Sequence, residues 1–355
     1  MLADRRQGGE QVNSIKTVCF GEIMLRLSPP GFERLFQSPQ LQASFGGGEA
    51  NVAVSLAQFG CDSYYVTRTP ANPVGEAAIR ALRAEGVRVD YVVRGGSRLG
   101  IYFAETGASQ RPSVVVYDRA HSAISEMEPG NVSWPDVFKD AAWFHWTGIT
   151  PALGRNGAEC TREAIQYAKQ AGARVSVDLN YRKKLWTERE AQRTMRGLVP
   201  LADVVIANEE DMQSVLGIAV PCADVTRGLL DPADYMKPAE RVAAEFGVKY
   251  VAITLRESVS ASENAWSAVL LDVETNTFHR SQRYMIRLVD RIGGGDSFSA
   301  GLIYSLMMGR GSQESLRFAV AASALKQTIP GDFNRVSVSE VERLVAGDES
   351  GRVRR

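Results

Sequence analysis

Residues 290–301 read DRIGGGDSFSAG, and this stretch decides the fold assignment. Three consecutive glycines, residues 293–295, precede a segment with the apolar spacing of a helix over 297–308. A backbone without side chains can curve around a ligand, and the N–H groups at a helix start attract anions. Asp296 lies at this helix start, where a carboxylate is kept ionised. The stretch therefore predicts an anion-binding loop with an acidic side chain beside it.

A purely structural interpretation competes with this one. Asp296 could be an N-cap, and the glycines could form only a tight turn. The stretch matches neither GxGxxG nor GxxxxGK[ST], which disfavours both a dinucleotide fingerprint and a P-loop.

A second glycine cluster stands near the start of the chain, where residues 45–53 read FGGGEANVA. It also precedes a helical pattern, over 49–59. Its main-chain donors and Asn51 predict binding of hydroxyl groups on a polar ligand. The alternative is a flexible loop with Asn51 as a solvated residue of the first helical turn.

Between these clusters, strand and helix patterns alternate. Residues 17–27 predict one strand, and the helical pattern over 73–85 begins with a proline. Residues 99–105 and 113–117 predict an antiparallel hairpin. From residue 143 onward the alternation is regular, with strands at 143–146, 174–179, 203–207 and 249–254 and helices at 157–171, 188–198 and 239–246.

This alternation predicts an α/β fold with a mainly parallel central sheet flanked by helices. The early strands, from about 23–45 and 97–119, do not alternate with helices and predict a small β-sheet that projects as a lid. Residues 221–238 are rich in Pro, Asp and Gly and predict a surface insertion.

Composition excludes several classes of protein. The 355 residues are 45% hydrophobic and 23% charged, which is typical of a globular protein. The 41 basic residues balance the 41 acidic ones, which predicts neither a nucleic-acid partner nor an anionic membrane partner. Apolar runs are shorter than the ~20 residues that span a bilayer, and the start of the chain lacks the apolar core of a signal peptide.

The cysteines and histidines indicate no metal site. The four cysteines lie far apart, so no CxxC pair exists, and scattered thiols predict a reducing, cytoplasmic location. The three histidines are equally dispersed.

Together, GGGEANVA near one end and DRIGGGDSFSAGL near the other resemble the two signatures of the ribokinase-like (PfkB) sugar kinases. That family usually carries D-T-x-G-A-G-D in the second signature. Glycine at 294 in place of alanine keeps the main-chain donors. The similarity is greatest to the 2-keto-3-deoxygluconate kinases, through residues 20–29 (FGEIMLRLSP), 115–123 (VVYDRAHSA), 178–182 (DLNYR), 208–211 (NEED) and 328–334 (TIPGDFN).

The resemblance implies one kinase domain over 16–345, a polar N-terminal tail over 1–15 and a C-terminal tail over 346–355. It implies ATP and Mg²⁺ as cofactors, a small-molecule sugar acid as the other substrate, and a homodimer or larger oligomer formed through the lid.

The resemblance also implies roles for individual residues. Asp296 would be the catalytic base, and Gly293, Gly294 and Gly295 would form the anion hole. The family motif N-x-x-E falls on residues 208–211 but ends here in Asp. Metal ordering is therefore expected, indirectly, from Glu210 and Asp211.

Nucleotide contacts are expected from Asn208, Thr254, Arg256 and Ser258. Substrate contacts are expected from Gly47, Gly48, Asn51, Tyr102, Tyr117, Arg119, Arg182 and Asp332. Among these, Arg119 and Arg182 would hold the carboxylate of a keto acid, because arginine offers a planar, bidentate fork.

Two further hypotheses remain open at this stage. A sugar kinase of the same fold that acts on fructose, ribose or a nucleoside would make the two arginines redundant. A non-catalytic sugar- or nucleotide-binding regulator would not need Asp296. A nicotinamide-dependent dehydrogenase is weaker still, because no GxGxxG follows the first strand.

Overall fold

A computed structural model describes residues 15–220 and 231–348. Residues 1–14 and 349–355, which make up most of the predicted tails, and residues 221–230 of the predicted insertion lie outside the described residues. The strands are β1 (Lys16–Phe20), β2 (Met24–Ser28), β3 (Gln42–Gly46), β4 (Asp62–Val66), β5 (Arg68–Thr69), β6 (Val93–Arg94), β7 (Gly100–Glu105), β8 (Val114–Asp118), β9 (Trp143–Thr147), β10 (Arg174–Asp178), β11 (Val204–Ala207), β12 (Tyr250–Ser258), β13 (Glu263–Asp272), β14 (Thr277–Arg280) and β15 (Tyr284–Arg287).

The α-helices follow the predicted pattern closely. They are α1 (Gly48–Gln58), α2 (Pro73–Ala84), α3 (Trp134–Phe138), α4 (Ile149–Ala152), α5 (Arg155–Gln170), α6 (Glu188–Met195), α7 (Glu209–Asp211), α8 (Met236–Phe246), α9 (Gly294–Met307), α10 (Ser312–Lys326) and α11 (Val338–Val345). Among the described residues, no helix is both long and apolar enough to cross a bilayer.

The main sheet has nine strands and is mainly parallel. Its order is β14-β13-β12-β11-β10-β9-β1-β4, and β15 also pairs with β13. The six strands from β12 to β4 run parallel, and the antiparallel strands lie at one edge. Two large apolar clusters pack on this sheet, one including Phe144 and Trp146 and the other including Phe298 and Phe318. The α/β prediction is confirmed.

The prediction of a single strand over 17–27 is wrong. The chain forms β1 in the main sheet and then β2 in a second sheet, separated by the short segment 21–23. The segment reads Gly-Glu-Ile, and the apolar pattern resumes at once because Ile23 is buried. Gly21 and the charged Glu22 were the signs of the break that the prediction overlooked.

The second sheet has four strands in the order β3-β2-β7-β8. β2 pairs antiparallel with β3 and β7 antiparallel with β8, as a hairpin, while β2 and β7 run parallel. Successive side chains along each strand point to opposite sides, so this sheet has two distinct faces. The face toward the main sheet carries Met24, Tyr102 and Tyr117, and the outer face carries Leu27, Phe103 and Val116.

Candidate active site

A cavity of about 340 Å³ lies between the two sheets, at the carboxyl edge of the parallel strands. Asp178 ends β10 and Ala207 ends β11, and both line it. Open α/β sheets bind their ligands at this edge.

Two glycine-led helix N-termini meet in the cavity. α1 begins after Gly47, and α9 begins after Gly293. Gly293 has φ of 84°, and a Cβ there would lie 2.2 Å from the carbonyl oxygen of Asp332. A Cβ on Gly47 would lie 2.0 Å from the carbonyl oxygen of Glu22. Neither position could carry a side chain without moving the backbone beside it.

Asp296 lies in the first turn of α9 and contacts the other helix. The amide Nδ2 of Asn51 donates a hydrogen bond to Asp296 Oδ2 at 2.7 Å. Burial raises the pKa of Asp296 to about 7, although this hydrogen bond acts to lower it. The N-cap of α9 is Gly293, so the interpretation of Asp296 as a simple cap is not supported.

Two more carboxyl groups lie near Asp296. Burial raises the pKa of Asp178 well above its usual range, and the charges of Asp211 and Asp296 raise it further, against the opposing effect of Arg182. Burial also raises the pKa of Asp211 to about 6. Three carboxyl groups with raised pKa values therefore share this region with Arg182.

The side chain of Asp211 binds main-chain N–H groups around it. Asp211 Oδ2 accepts a hydrogen bond from the Asn208 N–H at 3.2 Å, and Asn208 Oδ1 accepts one from the Asp211 N–H at 2.8 Å. Asp211 Oδ1 also accepts a bond from the Tyr181 N–H. Both oxygens thus hold main-chain groups, whereas the neighbouring Glu210 is exposed at the rim.

On the side of the second sheet, Asp332 is fully engaged with protein groups. Tyr102 Oη donates to Asp332 Oδ2 at 2.5 Å, and Arg26 Nη1 donates to Asp332 Oδ1 at 2.7 Å. Arg26 Nη2 also pairs with Asp290 Oδ2 at 2.6 Å. All four side chains are buried. Tyr102 and Asp332 therefore line the cavity, but each already has a partner for its polar group.

The two predicted carboxylate-binding arginines differ in their surroundings. Arg119 is buried and donates through Nε, at 2.9 Å, and through Nη2 to one oxygen of Glu22. Arg182 is half-buried and bonds to the carbonyl of Tyr181 at 2.9 Å. Beyond Arg182 the cavity opens into a cleft of about 920 Å³ that includes Lys183 and Lys184. The cleft is lined by four Lys and Arg side chains, Arg119, Arg182, Lys183 and Lys184, and by the three acidic side chains Asp118, Glu126 and Glu210.

At the opposite end, Thr254 and Arg256 of β12 line the cavity together with Arg291. Burial lowers the pKa of Arg291, and the charge of Arg256 lowers it further. Two neighbouring guanidinium groups that disfavour each other predict an anionic ligand between them. Ser258 does not line the cavity, because β12 continues past its mouth and leaves Ser258 exposed at the strand end.

All the other predicted site residues line this one cavity. They are Gly47, Gly48, Asn51, Tyr102, Tyr117, Arg119, Arg182, Asn208, Glu210, Asp211, Thr254, Arg256, Gly293, Gly294, Gly295, Asp296 and Asp332.

Sequence reasoning assigned no role to six polar cavity residues: Asp178, Asn180, Glu209, Asn264, Arg291 and Gln327. A signal existed for Arg291, because it stands where the family signature usually has threonine. No comparable signal marked Gln327, which reaches the cavity from the end of α10.

The chain was compared with known proteins. The family model described as "pfkB family carbohydrate kinase" matches residues 14–335. A 2-dehydro-3-deoxygalactonokinase of Haloferax volcanii is 34% identical over 94% of this chain and 98% of its own length. The crystal structure of a 2-dehydro-3-deoxygluconokinase from Thermotoga maritima superposes with a TM-score of 0.90 and 51% identity, over 94% of this chain and 100% of its own. A 2-dehydro-3-deoxygluconokinase of Bacillus subtilis is 26% identical over 92% of this chain and 94% of its own.

The hydrogen bond between Asn51 and Asp296 makes a testable prediction. Replacing Asn51 with Ala removes a donor to the charged carboxylate, so the pKa of Asp296 should rise by about 1–2 units above its value near 7. Carbon-13 NMR of labelled aspartate carboxyls would measure the pKa of Asp296. Asn276→Ala, in the turn between β13 and β14, is the control and should leave that pKa unchanged. An unchanged pKa in Asn51→Ala would contradict the assignment.

Proposed function

This chain belongs to the pfkB family of carbohydrate kinases, and from that premise we propose that it phosphorylates 2-keto-3-deoxygluconate with ATP to give the 6-phosphate. The observation that carries the proposal is Asp296. It is a carboxyl group with a pKa near 7, held by Asn51 at the N-terminus of a helix that begins with three glycines.

The chemistry follows from these positions. The acceptor hydroxyl oxygen forms a bond to the γ-phosphorus while the bond from that phosphorus to the oxygen of ADP breaks. The hydroxyl proton passes to the Asp296 carboxylate, and a base with a pKa near the working pH is well suited to accept it. The N–H groups in the first turn of α9 lack acceptors within the helix and would stabilise the charge on the transferred group.

The nucleotide would lie at the end of the cavity lined by Thr254, Arg256 and Arg291. The two guanidinium groups can neutralise phosphate oxygens. The bound phosphate would in turn compensate the electrostatic repulsion between the two guanidinium groups. Asn208 lines the same end, but its side-chain oxygen already caps α7.

The carboxylates fit Mg²⁺ only as indirect partners. Mg²⁺ prefers oxygen ligands and usually keeps several waters. The described residues contain no group of three or more acidic, His or Cys side chains that could hold a metal ion. Glu210, exposed at the rim, and Asp211 would hold a phosphate-bound ion through water. When bound, the ion neutralises phosphate charge.

A keto acid fits the end of the cavity that carries Arg119 and Arg182. Arg182 has only a main-chain carbonyl as its described hydrogen-bond partner, and Lys183 and Lys184 line the adjoining cleft. Arg119 would bind the carboxylate while it remains paired with Glu22. The relatives are named for the gluconate and for the galactonate form of the acid. These two acids differ in the configuration of one hydroxyl, so both belong in the assay.

We propose further that the enzyme is a dimer joined through the outer face of the second sheet and works in the cytoplasm. That face carries Leu25, Leu27, Phe103 and Val116, and the side chain of Val116 is 45% exposed. An apolar face on a small sheet favours association. The buried free thiols Cys19, Cys61 and Cys160 fit a reducing compartment.

The role of Asp296 is tested by Asp296→Asn. The variant should fold and bind ATP with near-normal affinity but lose at least ~10²-fold in kcat, because the amide cannot accept the proton. Coupled ADP-release assays would use 2-keto-3-deoxygluconate, its galactonate epimer, fructose and ribose. Asp90→Asn, at an exposed position, is the control. Near-normal turnover by Asp296→Asn would show that Asp296 does not act as the catalytic base. A wild type inactive on every sugar would favour the regulator hypothesis.

Specificity is tested at the two arginines. Arg182→Ala and Arg119→Ala should each lose roughly 10–200-fold in kcat/KM for the keto acid and far less for a neutral sugar, because a hydrogen bond to a charged group is worth about 1.5–3 kcal/mol. Lysine at either position should restore activity only in part. Arg155→Ala, at the exposed start of α5, is the matched control. Unchanged keto-acid efficiency in both variants, or a wild type that prefers fructose, would reject the substrate assignment.

The dimer is tested by Val116→Asp. Wild-type protein at micromolar concentration should sediment as a dimer or larger, and the buried charge should shift the variant toward monomer. Val273→Asp places the same charge on an exposed valine of the main domain and should not change the oligomer. A wild type that sediments as a monomer would refute the proposal.

A further inference from the structure

Glu22 lies in segment 21–23, which joins β1 of the main sheet to β2 of the second sheet, and its side chain is buried. Its Oε2 accepts two hydrogen bonds from Arg119, one from Nε at 2.9 Å and one from Nη2. Arg119 directly follows β8 of the second sheet and is also buried. A buried carboxylate on the crossover between the two sheets therefore holds the guanidinium group at the end of a strand of the second sheet.

This ion pair occupies only one edge of the guanidinium group. Arginine has five N–H donors in a planar fork, and Glu22 binds the edge formed by Nε and Nη2. The N–H groups of Nη1 have no hydrogen-bond acceptor within residues 15–220 and 231–348, and Arg119 lines both the cavity and the adjoining cleft. Because the fork is planar, fixing one edge fixes the direction of the other. The free edge of Arg119 can still bind a carboxylate through two parallel hydrogen bonds.

The surroundings of Glu22 leave its carboxylate bound to Arg119 alone. A Cβ on Gly100, the first residue of β7, would lie 2.7 Å from Glu22 Oε1 and 3.4 Å from the Cβ of Arg119. A larger residue at this position would therefore press on the ion pair. Glu22 Oε1 is buried and has no hydrogen-bond partner among the described residues. Arg119 also contacts an aromatic ring, because its Cζ lies 5.4 Å from the centre of the Tyr117 ring.

Charge alone does not explain this ion pair. A negative charge beside Arg119 weakens the attraction of that arginine for a carboxylate, so an unpaired arginine would attract a sugar acid more strongly. A buried carboxylate oxygen without a hydrogen bond also costs free energy. The ion pair does supply direction. A free arginine side chain loses rotamer freedom when it binds a ligand, whereas a side chain that is already fixed has lost this freedom before the ligand arrives.

We propose that Glu22 is the positioning residue of Arg119, and that selection of a sugar acid over a neutral sugar depends on this contact. The inference rests on the proposed function in one respect, namely that the anion at Arg119 is the carboxylate of the sugar. Glu22 itself touches no substrate and acts by aligning the free edge of Arg119. Its main chain packs against the start of α1, where a Cβ on Gly47 would lie 2.0 Å from the Glu22 carbonyl oxygen. The alignment is therefore made relative to the helix that carries Asn51.

The test is Glu22→Gln, which keeps the shape of the side chain and removes its charge. Glu105→Gln is the matched control, because Glu105 is also buried in the second sheet and pairs with Arg111 but lines neither the cavity nor the adjoining cleft. We would measure kcat, the KM for 2-keto-3-deoxygluconate, the KM for ATP and the melting temperature. Nitrogen-15 NMR would follow the Nε–H signal of Arg119, identified by its loss in Arg119→Ala.

Glu22→Gln should raise the KM for the keto acid at least ~10-fold and leave kcat and the KM for ATP nearly unchanged, because a misdirected fork loses its contacts in the ground state and the transition state alike. The Nε–H of Arg119 should exchange faster with water. In the Arg119→Ala background, Glu22→Gln should cause no further rise in the KM for the keto acid, because the residue acts through Arg119. Glu105→Gln should lower the melting temperature and leave both KM values unchanged.

The proposal is overturned if Glu22→Gln binds the keto acid as well as the wild type or better, which is the result that charge repulsion alone would give. An unchanged Nε–H signal of Arg119 would also overturn it. If Glu22→Gln does not fold, Glu22→Asp decides, because it keeps the charge but withdraws it by one methylene, so positioning predicts a raised KM and charge compensation predicts none. If the wild type phosphorylates no sugar acid, the proposed function fails, while the Nε–H signal still decides whether Glu22 holds Arg119.

Discussion

The hydrogen bond from Asn51 to Asp296 joins the two helix N-termini on which the whole site depends. α1 and α9 come from opposite ends of the chain, 245 residues apart at this contact, and each begins after a glycine. Their positive ends meet over the carboxyl edge of the parallel strands. Their meeting buries Asp296, and this burial raises its pKa to about 7 although the hydrogen bond from Asn51 acts to lower it. In the proposed function, the same meeting of the two helices would also place the phosphate and the acceptor hydroxyl. The parallel sheet is what makes it possible, because it brings both helices to the same edge.

The second sheet is fixed to this centre by buried charge. Arg26 of β2 and Tyr102 of β7 both bond to Asp332, and Arg26 also pairs with Asp290, three residues before Gly293. Burying such a group costs desolvation energy, and removing one partner would leave an uncompensated charge. The same residues connect the second sheet to the glycine loop before α9. In the proposed function, these contacts would join the wall that faces the sugar acid to the loop that faces the phosphate.

Local sequence patterns predicted the residues at the two helix N-termini. The other contacts of the site depend on pairs of residues that lie far apart in the sequence. The glycine clusters, Asp296 and Asn51 are signalled by short motifs whose physics is local, namely helix starts and main-chain donors. The pairing of Arg119 with Glu22, and the engagement of Asp332 with Tyr102, join segments 97 and 230 residues apart, which no spacing rule reveals. The break after β1 was missed because the apolar pattern resumes directly at Ile23, which is buried. Lys326 is the last residue of α10, and only the fold shows the four main-chain carbonyls around its Nζ.

The central claim is that Asp296, with a pKa raised to about 7 by burial, accepts the proton of the acceptor hydroxyl. The most direct measurement is the pH dependence of kcat/KM for 2-keto-3-deoxygluconate in the wild type. Because only the deprotonated carboxylate can act as the base, kcat/KM should be constant above the pKa and fall tenfold per pH unit below it, with a midpoint near pH 7. A profile that stays flat down to pH 5 would contradict the account, because it would mean that no group with such a pKa takes the proton.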